Sequence, residues 1–318
     1  MKLSLFPTLF KAKSSHAGWV AIRFGAHGVY LAEIKFSGAM PRVVRCEYHE
    51  TGVVSASALE KLRRETHIGN HEVTTLLAPG EYQMLLVEAP NVPLDEMKTA
   101  VRWKIKDGLG FHIDDATVDM VQIPASKYGS GRPQSLYAIA AANSIIQERI
   151  KLFEQAEIKL SVVDIPEMAQ RNIAALFERE DRALVVLVFD DYGGLMTFTS
   201  AGELYLSRRI EMSVGQLQDA NEELRRQYRD RVVTELQRSL DHFDRQFNHL
   251  AVDMMLVCVP DNTGLVEFLA AELDMKVQKL DLSAAMDISA IPALADSEFA
   301  AHALSVLGAS LRQESRVL

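Results

Sequence analysis

The first clear pattern in the chain is an alternation. Val20, Ile22 and Phe24 alternate with Ala21 and Arg23, and Val29, Leu31 and Glu33 alternate with Tyr30, Ala32 and Ile34. A period of two predicts two strands. Gly25 and Gly28 bracket the turn between them, where a positive φ or a close backbone approach is expected. Residues 41–51 read as a third strand. Residues 57–66 read as a short charged helix with Leu59 and Leu62 inward. Residues 73–77 and 84–87 read as two more strands around the Pro79–Gly80 turn. Pro93 then opens a helix, with Asp95 and Glu96 at its positive end. Its Leu94, Met97, Val101 and Ile105 fall on one face at helical spacing, while Trp103 falls opposite them. Gly108 and Gly110 end that helix.

Residues 111–124 give a loop and a strand, 126–135 a polar glycine loop, and 136–142 a buried strand. The helix at 144–156 carries Ile146, Ile150 and Phe153 inward. A strand at 160–165 follows, and Pro166 opens a helix running to about Glu178. The charged break at 178–182 marks a lobe boundary, and the second lobe opens as the first did. Residues 184–194 form a buried strand ending in glycines, and further strands cover 195–200 and 203–210. The two strand–glycine–strand units suggest an internal duplication. The charge run at 222–231 reads as a solvated face. Val232, Leu236, Leu240, Phe243 and Phe247 form an inward stripe on a long helix. A strand at 254–259, a helix at 265–273 and a strand at 276–280 complete an α/β unit. A helix at 297–311, rich in Ala and with Gly308, suits close packing on another element.

Composition adds limits. The chain has 318 residues, a net charge of −9 and 48% hydrophobic residues, enough for two lobes with real cores. Mild acidity argues against nucleic acid as partner. Two distant cysteines, Cys46 and Cys258, fit a reducing compartment rather than a disulfide framework. No apolar stretch reaches membrane-spanning length. Residues 1–16 read as a flexible tail; Lys2, Lys11 and Lys13 offer weak contact with an anionic membrane surface as the alternative reading.

The candidate chemistry is sparse. A small-residue turn early in an α/β domain can hold a phosphate, or be only a hairpin. A nucleotide with Mg²⁺ wants oxygen ligands on the strand before the turn. The chain offers Arg23 there. Arg23 is either a solvated strand residue or paired with Asp190 or Asp191. Trp103 either packs on a second element or meets a partner. The 126–135 loop lacks the helix start of a phosphate loop, and the histidines form no metal motif. No GxSxG elbow exists, so no catalytic residue and no metal site is expected.

The order of parts resembles the actin-like ATPase superfamily. The residues carrying the resemblance are Ala89–Glu96, Arg102–Asp107, Glu235–Phe243 and Gly264–Leu269. They are most similar to the PilM-like family of type IV pilus assembly, in its MshI branch of mannose-sensitive haemagglutinin (MSHA) pilus biogenesis. The resemblance implies an actin-like, ribonuclease H-like two-lobe fold. The first lobe would span 17–180 with a PilM-type inserted subdomain at about 85–164. The second would span 181–318, with the 297–311 helix packing back on the first.

The family's nucleotide cleft maps onto Arg23, Gly25, Asp191, Gly193 and Gly264. Its first D-I-G pattern stands here as Arg23–Phe24–Gly25, with the glycine kept and the carboxylate lost. Its second fits Asp191–Tyr192–Gly193 if about two residues are missing from the following turn; without a gap it falls on Val188–Phe189–Asp190 and is lost. Its glycine pair has become Val259–Pro260, or Cys258–Val259 in a shifted register, before Gly264. Phosphoryl transfer rests on metal and positioned charge, so the resemblance implies a degenerate ATPase. No cofactor is expected beyond weak ATP or ADP binding. The implied partners are the cytoplasmic N-terminal tail of a PilN-like inner-membrane protein and the pilus assembly ATPase complex. The tail would dock in a groove beside the inserted subdomain, with Arg102 and Trp103 as candidate contacts. The implied location is the cytoplasmic face of the inner membrane. The alternatives are an active ATPase with a non-standard metal site, and the cytoplasmic domain of a GspL-like secretion protein.

Overall fold

A computed structural model describes residues 19–36, 40–124 and 134–312. The readings of residues 1–16 and of most of the 126–135 loop lie outside them. The first strands are β1 (Val20–Phe24), β2 (Gly28–Phe36) and β3 (Pro41–Glu50), an antiparallel meander. Helix α1 (Ala56–Thr66) follows, its first turn capped by the Ser55 side chain. Strand β4 (Val73–Leu76) then runs parallel to β1.

The chain next leaves this sheet. Strand β5 (Tyr82–Glu88), helix α2 (Leu94–Ile105), strand β6 (Ala116–Gln122) and strand β7 (Ser135–Ala142) build a separate three-stranded sheet in the order β5-β7-β6. Helix α3 (Asn143–Gln155) and strand β8 (Leu160–Asp164) return to the first sheet, where β8 pairs parallel with β4. Helix α4 (Pro166–Ala174) closes the first half, with Pro166 at its start.

The second half repeats the plan with β9 (Arg182–Asp190), β10 (Gly193–Ser200) and β11 (Glu203–Ile210), again an antiparallel meander. The single-turn α5 (Val214–Leu217), the long α6 (Glu222–Gln246), β12 (Ala251–Cys258), α7 (Leu265–Glu272), β13 (Lys276–Lys279) and α8 (Ser297–Ser310) complete it. The two five-stranded sheets read β3-β2-β1-β4-β8 and β11-β10-β9-β12-β13. In each, three antiparallel strands are followed by two parallel ones, so the duplication suggested by two hairpins extends to both sheets.

Two helices are exchanged between the halves. α4 lies on β9, β10 and β11, while α8 lies on β1, β2 and β4 and also touches β9 and β12. They pack on each other in a central core with Ala21, Tyr30, Ile34, Val186 and Leu307. The outer face of the first sheet is covered by Leu59, Leu62 and Phe153 of α1 and α3. The outer face of the second is covered by Val232, Leu236 and Phe243 of α6. Both faces of β2 are therefore buried from Gly28 to Ile34, including Glu33, which has Lys35 and His71 beside it.

Several expectations need correction. The inserted part is shorter than 85–164, because α3 packs on α1 and β8 extends the ladder from β4. Leu94 is 58% exposed, at the first residue of α2. In α3 the buried polar residue is Arg149; Ile146 and Ile150 are only half-buried. Arg149 donates to both Glu81 carboxylate oxygens at 2.8 and 2.7 Å and lies over the Phe24 ring.

Gly308 sets the approach of α8 to α4. A Cβ there would stand 2.0 Å from the Ala169 carbonyl oxygen. Backbone offers no rotamer to move aside, so Gly308→Ala is expected to destabilise the fold by about 3 kcal/mol. Gly69→Ala, whose new Cβ meets nothing closer than 3.9 Å, serves as the control. Urea unfolding measures both, and equal midpoints would contradict the packing described.

Candidate functional site

The site lies where the β1–β2 and β9–β10 hairpins of the two lobes face each other. Arg23 stands one residue before the end of β1 and is 3% exposed. A buried guanidinium requires partners, and this one finds them across the lobe boundary. Nη1 donates to Asp190 Oδ2 at 3.1 Å, and Nη2 donates to the His302 carbonyl at 2.9 Å. Asp191 Oδ2 lies 3.6 Å from Nη2. The guanidinium also lies 4.7 Å from the centre of the Tyr30 ring and 5.7 Å from that of Tyr192. Of the two readings of Arg23, the structure shows the ion pair.

A second contact crosses the same gap. The Tyr192 hydroxyl donates to the Phe24 carbonyl at 3.0 Å. Burial raises the Tyr192 phenol above its ordinary pKa, so the hydroxyl stays a donor at neutral pH. Burial first, then Asp191, pushes the Tyr30 phenol up to about 12.

The glycines hold these turns. Gly25 N–H donates to the Gly28 carbonyl at 2.8 Å. Gly193 has φ +99°, and a Cβ on it would stand 2.9 Å from the Ile210 carbonyl oxygen. The β9–β10 connection is Asp191 and Tyr192 alone, while Gly25, Ala26 and His27 join β1 to β2. Across the gap, Asp191 comes to Arg23, while Gly193 lies against Ile210 and Met212 of its own lobe. Gly264, with φ +58°, starts α7 beyond β12. Between them Val259 and Pro260 are both buried, Val259 in the core with Leu265 and Leu269.

Behind the Arg23 contacts is a second tie that the sequence did not announce. The Tyr82 hydroxyl donates to Glu167 Oε2 at 2.5 Å, and Arg209 Nη2 donates to Glu167 Oε1 at 2.8 Å and to the Tyr82 oxygen at 2.7 Å. Tyr82 belongs to the inserted sheet, Glu167 to α4 and Arg209 to β11. One carboxylate, 2% exposed, thus joins three parts of the chain. Burial and the Glu167 charge raise the Tyr82 phenol well above its usual range. A cavity of about 20 Å³ remains between the two ties, lined by Pro79, Gln170, Asp190, Tyr192, Arg209 and Ser305.

Arg102 and Trp103 are not part of this cleft. Arg102 donates to the Ala116 and Ile113 carbonyls at 2.8 and 2.7 Å and so fastens α2 to the start of β6. Trp103 is 65% exposed, so it does not pack within the chain; Lys106 Nζ sits 5.4 Å from its ring centre.

The residues present do not fit a magnesium nucleotide. The cation-facing position of β1 is itself a cation. The opposing carboxylates are committed to it. The cavity beside them has room for about one water. Val259 and Pro260 fill the end of β12. The arrangement joins the two lobes.

The architecture is that of the actin-like ATPase fold. A Bacteroides thetaiotaomicron protein with that fold and unknown function matches with a TM-score of 0.50 at 11% identity, over 86% of this chain and 94% of that one. More similar is a chain of a PilM–PilN type IV pilus biogenesis complex. It matches with a TM-score of 0.72 at 20% identity, over 93% of this chain and 98% of that one. The cytoplasmic domain of EpsL, an inner-membrane component of the Vibrio cholerae type II secretion system, matches at a TM-score of only 0.47 and 10% identity, over 76% of this chain and 82% of that one, and carries no weight. No protein-family model and no curated protein matches the chain.

Removing the shared carboxylate leaves Arg209 and Tyr82 partly buried without their acceptor. Glu167→Ala is expected to lower the unfolding free energy by about 3 kcal/mol. Chemical denaturation checks this, and a loss below about 1 kcal/mol would mean that the three parts are held by apolar packing alone.

Proposed function

We propose that the chain is a docking scaffold of type IV pilus assembly, of the MSHA kind, built on an actin-like frame that has lost its ATPase chemistry. One observation carries the reading: Arg23 closes the interlobe cleft by pairing with Asp190 and Asp191. The similarity to a PilM–PilN complex over nearly the whole chain supports the choice of system. The partner in this reading is the cytoplasmic N-terminal tail of a PilN-like inner-membrane protein, lying in the groove between the first lobe and the inserted subdomain. The exposed Trp103 is its candidate contact. Arg102 acts instead by holding α2 in place.

Among the described residues, no helix is long and apolar enough to cross a membrane. In this proposal the scaffold reaches the cytoplasmic face of the inner membrane through its partner, and joins the assembly ATPase complex there. Arg23 still attracts phosphate, so residual ATP or ADP binding would be weak, metal-independent and in competition with the clamp.

Two measurements test the reading. Calorimetric titration with ATP and Mg²⁺ is expected to show no metal-dependent binding and no phosphate release. Micromolar metal-dependent binding with turnover would establish the active-ATPase alternative. A synthetic PilN-like tail peptide is expected to shift the tryptophan fluorescence of the wild type and leave that of Trp103→Phe unchanged. The same shift in both proteins would take Trp103 out of the contact.

A further inference from the structure

Strand β2 outruns its cover. From Gly28 to Ile34 it is buried on both faces, and at Lys35 and Phe36 it stands in water. Phe36 is 49% exposed, and Met40, just before β3, is 43% exposed. Single exposed apolar residues are ordinary. These two lie at one end of one strand pair, where Phe36 faces Pro41 across the ladder. Lys35 and Arg42 flank them with half-exposed side chains.

The strand register fixes what else lies at this end. Val20, the first residue of β1, pairs with Glu33, close before Phe36 on β2. The stretch from Glu33 to Phe36 spans about 10 Å of strand, so residues 1–18 join the fold beside Phe36. This is the end of the first sheet away from Arg23 and the cleft. Residues 1–18 carry Leu3, Leu5, Phe6 and Phe10 together with Lys2, Lys11 and Lys13, and no acidic residue. The first acidic residue of the chain is Glu33, in a protein of net charge −9.

Charge decides the partner. Lys35 is matched by Glu33 at 3.3 Å and Arg42 by Asp287 at 3.4 Å, so the overhang itself is near neutral. The surplus positive charge comes from residues 1–18, and the exposed apolar side chains lie where that segment joins. Lysines among Phe and Leu, next to an apolar overhang, match the interfacial zone of an anionic bilayer. Its headgroups draw the ammonium groups, and its acyl boundary takes the apolar side chains. Either signal alone binds weakly, and stable anchoring takes two at one place.

We propose that Phe36, Met40 and residues 1–18 form a contact surface for an anionic phospholipid bilayer. The inference goes beyond the docking role, because this contact lies on the first sheet and involves neither Trp103 nor a tail peptide. It also orients the molecule. The end of β2 faces the bilayer, and the interlobe cleft, at the other end of β1, faces away from it.

Co-sedimentation of the full chain with vesicles is the test, with mixed phosphatidylglycerol and phosphatidylethanolamine set against pure phosphatidylcholine. The wild type is expected to sediment with the anionic vesicles and not the neutral ones, and to be released as salt rises toward about 1 M. Phe36→Ser with Met40→Ser is expected to weaken binding about tenfold at an unchanged Tm, because both side chains already meet water. Lys2→Gln, Lys11→Gln and Lys13→Gln together should weaken it about a hundredfold. An environment-sensitive dye on Met40→Cys gives a local reading, since the native Cys46 and Cys258 are buried. Its emission should shift to the blue with anionic vesicles only. Full binding by the Phe36→Ser, Met40→Ser protein with no dye shift would leave residues 1–18 as the whole contact and overturn the proposal. Equal binding to both kinds of vesicle, or none to either, overturns it as well. A dimer seen by sedimentation velocity, lost in the double variant and indifferent to vesicles, would assign the surface to a second copy and reject the bilayer. The Trp103 response to the tail peptide should be the same in the wild type and the double variant, so docking and bilayer contact fail separately.

Discussion

A guanidinium buried at the end of the first strand imposes one condition on everything around it. A buried charge without a partner is far more costly than an apolar residue of the same size. Arg23 therefore determines that two carboxylates from the second lobe must come within reach. Meeting that condition brings the β9–β10 turn against the β1–β2 turn and puts the Tyr192 hydroxyl on the Phe24 carbonyl. A small cavity remains beside the hairpins. In the proposed reading, an internal ion pair stands where a nucleotide and its metal would act.

The rest of the molecule is built to keep that geometry. Two sheets of the same topology face each other across helices exchanged between them, α4 on the second sheet and α8 on the first. Gly308 lets these helices come close enough for backbone contact. The Tyr82–Glu167–Arg209 tie adds the inserted subdomain to the same unit. A surface carried on such a unit is preformed, and a preformed surface binds a flexible tail at lower entropic cost than one that must order itself. A scaffold needs that rigidity, whereas an ATPase needs its lobes to move with the nucleotide.

Much of the fold was legible because the period-two alternation and the glycine turns are local signals. The two hairpins, the duplication and the close-packing closing helix all follow from them. Arg23 was legible as well, since a charge in an otherwise apolar strand must be solvated or paired. What stayed hidden depends on which distant elements meet. The alternation at Leu160–Asp164 says strand but does not say which sheet, so the insertion was drawn too long. Arg149 is buried by a partner, Glu81, that lies in another part of the chain, and no local pattern points to it. Glu167 sits in the first turn of α4, and nothing in the sequence near Tyr82 or Arg209 points to it. Trp103 was ambiguous between inside and outside, and only its exposure decides.

The central claim is that the two lobes are held closed by the chain itself. Hydrogen–deuterium exchange over residues 20–30 and 186–196, in the presence and absence of saturating Mg²⁺ and ATP, tests it most directly. The account predicts strong protection of both hairpins, and the same protection in the two conditions. Weak protection that rises in both hairpins together when the magnesium nucleotide is added would show a cleft that a ligand closes, and would contradict it.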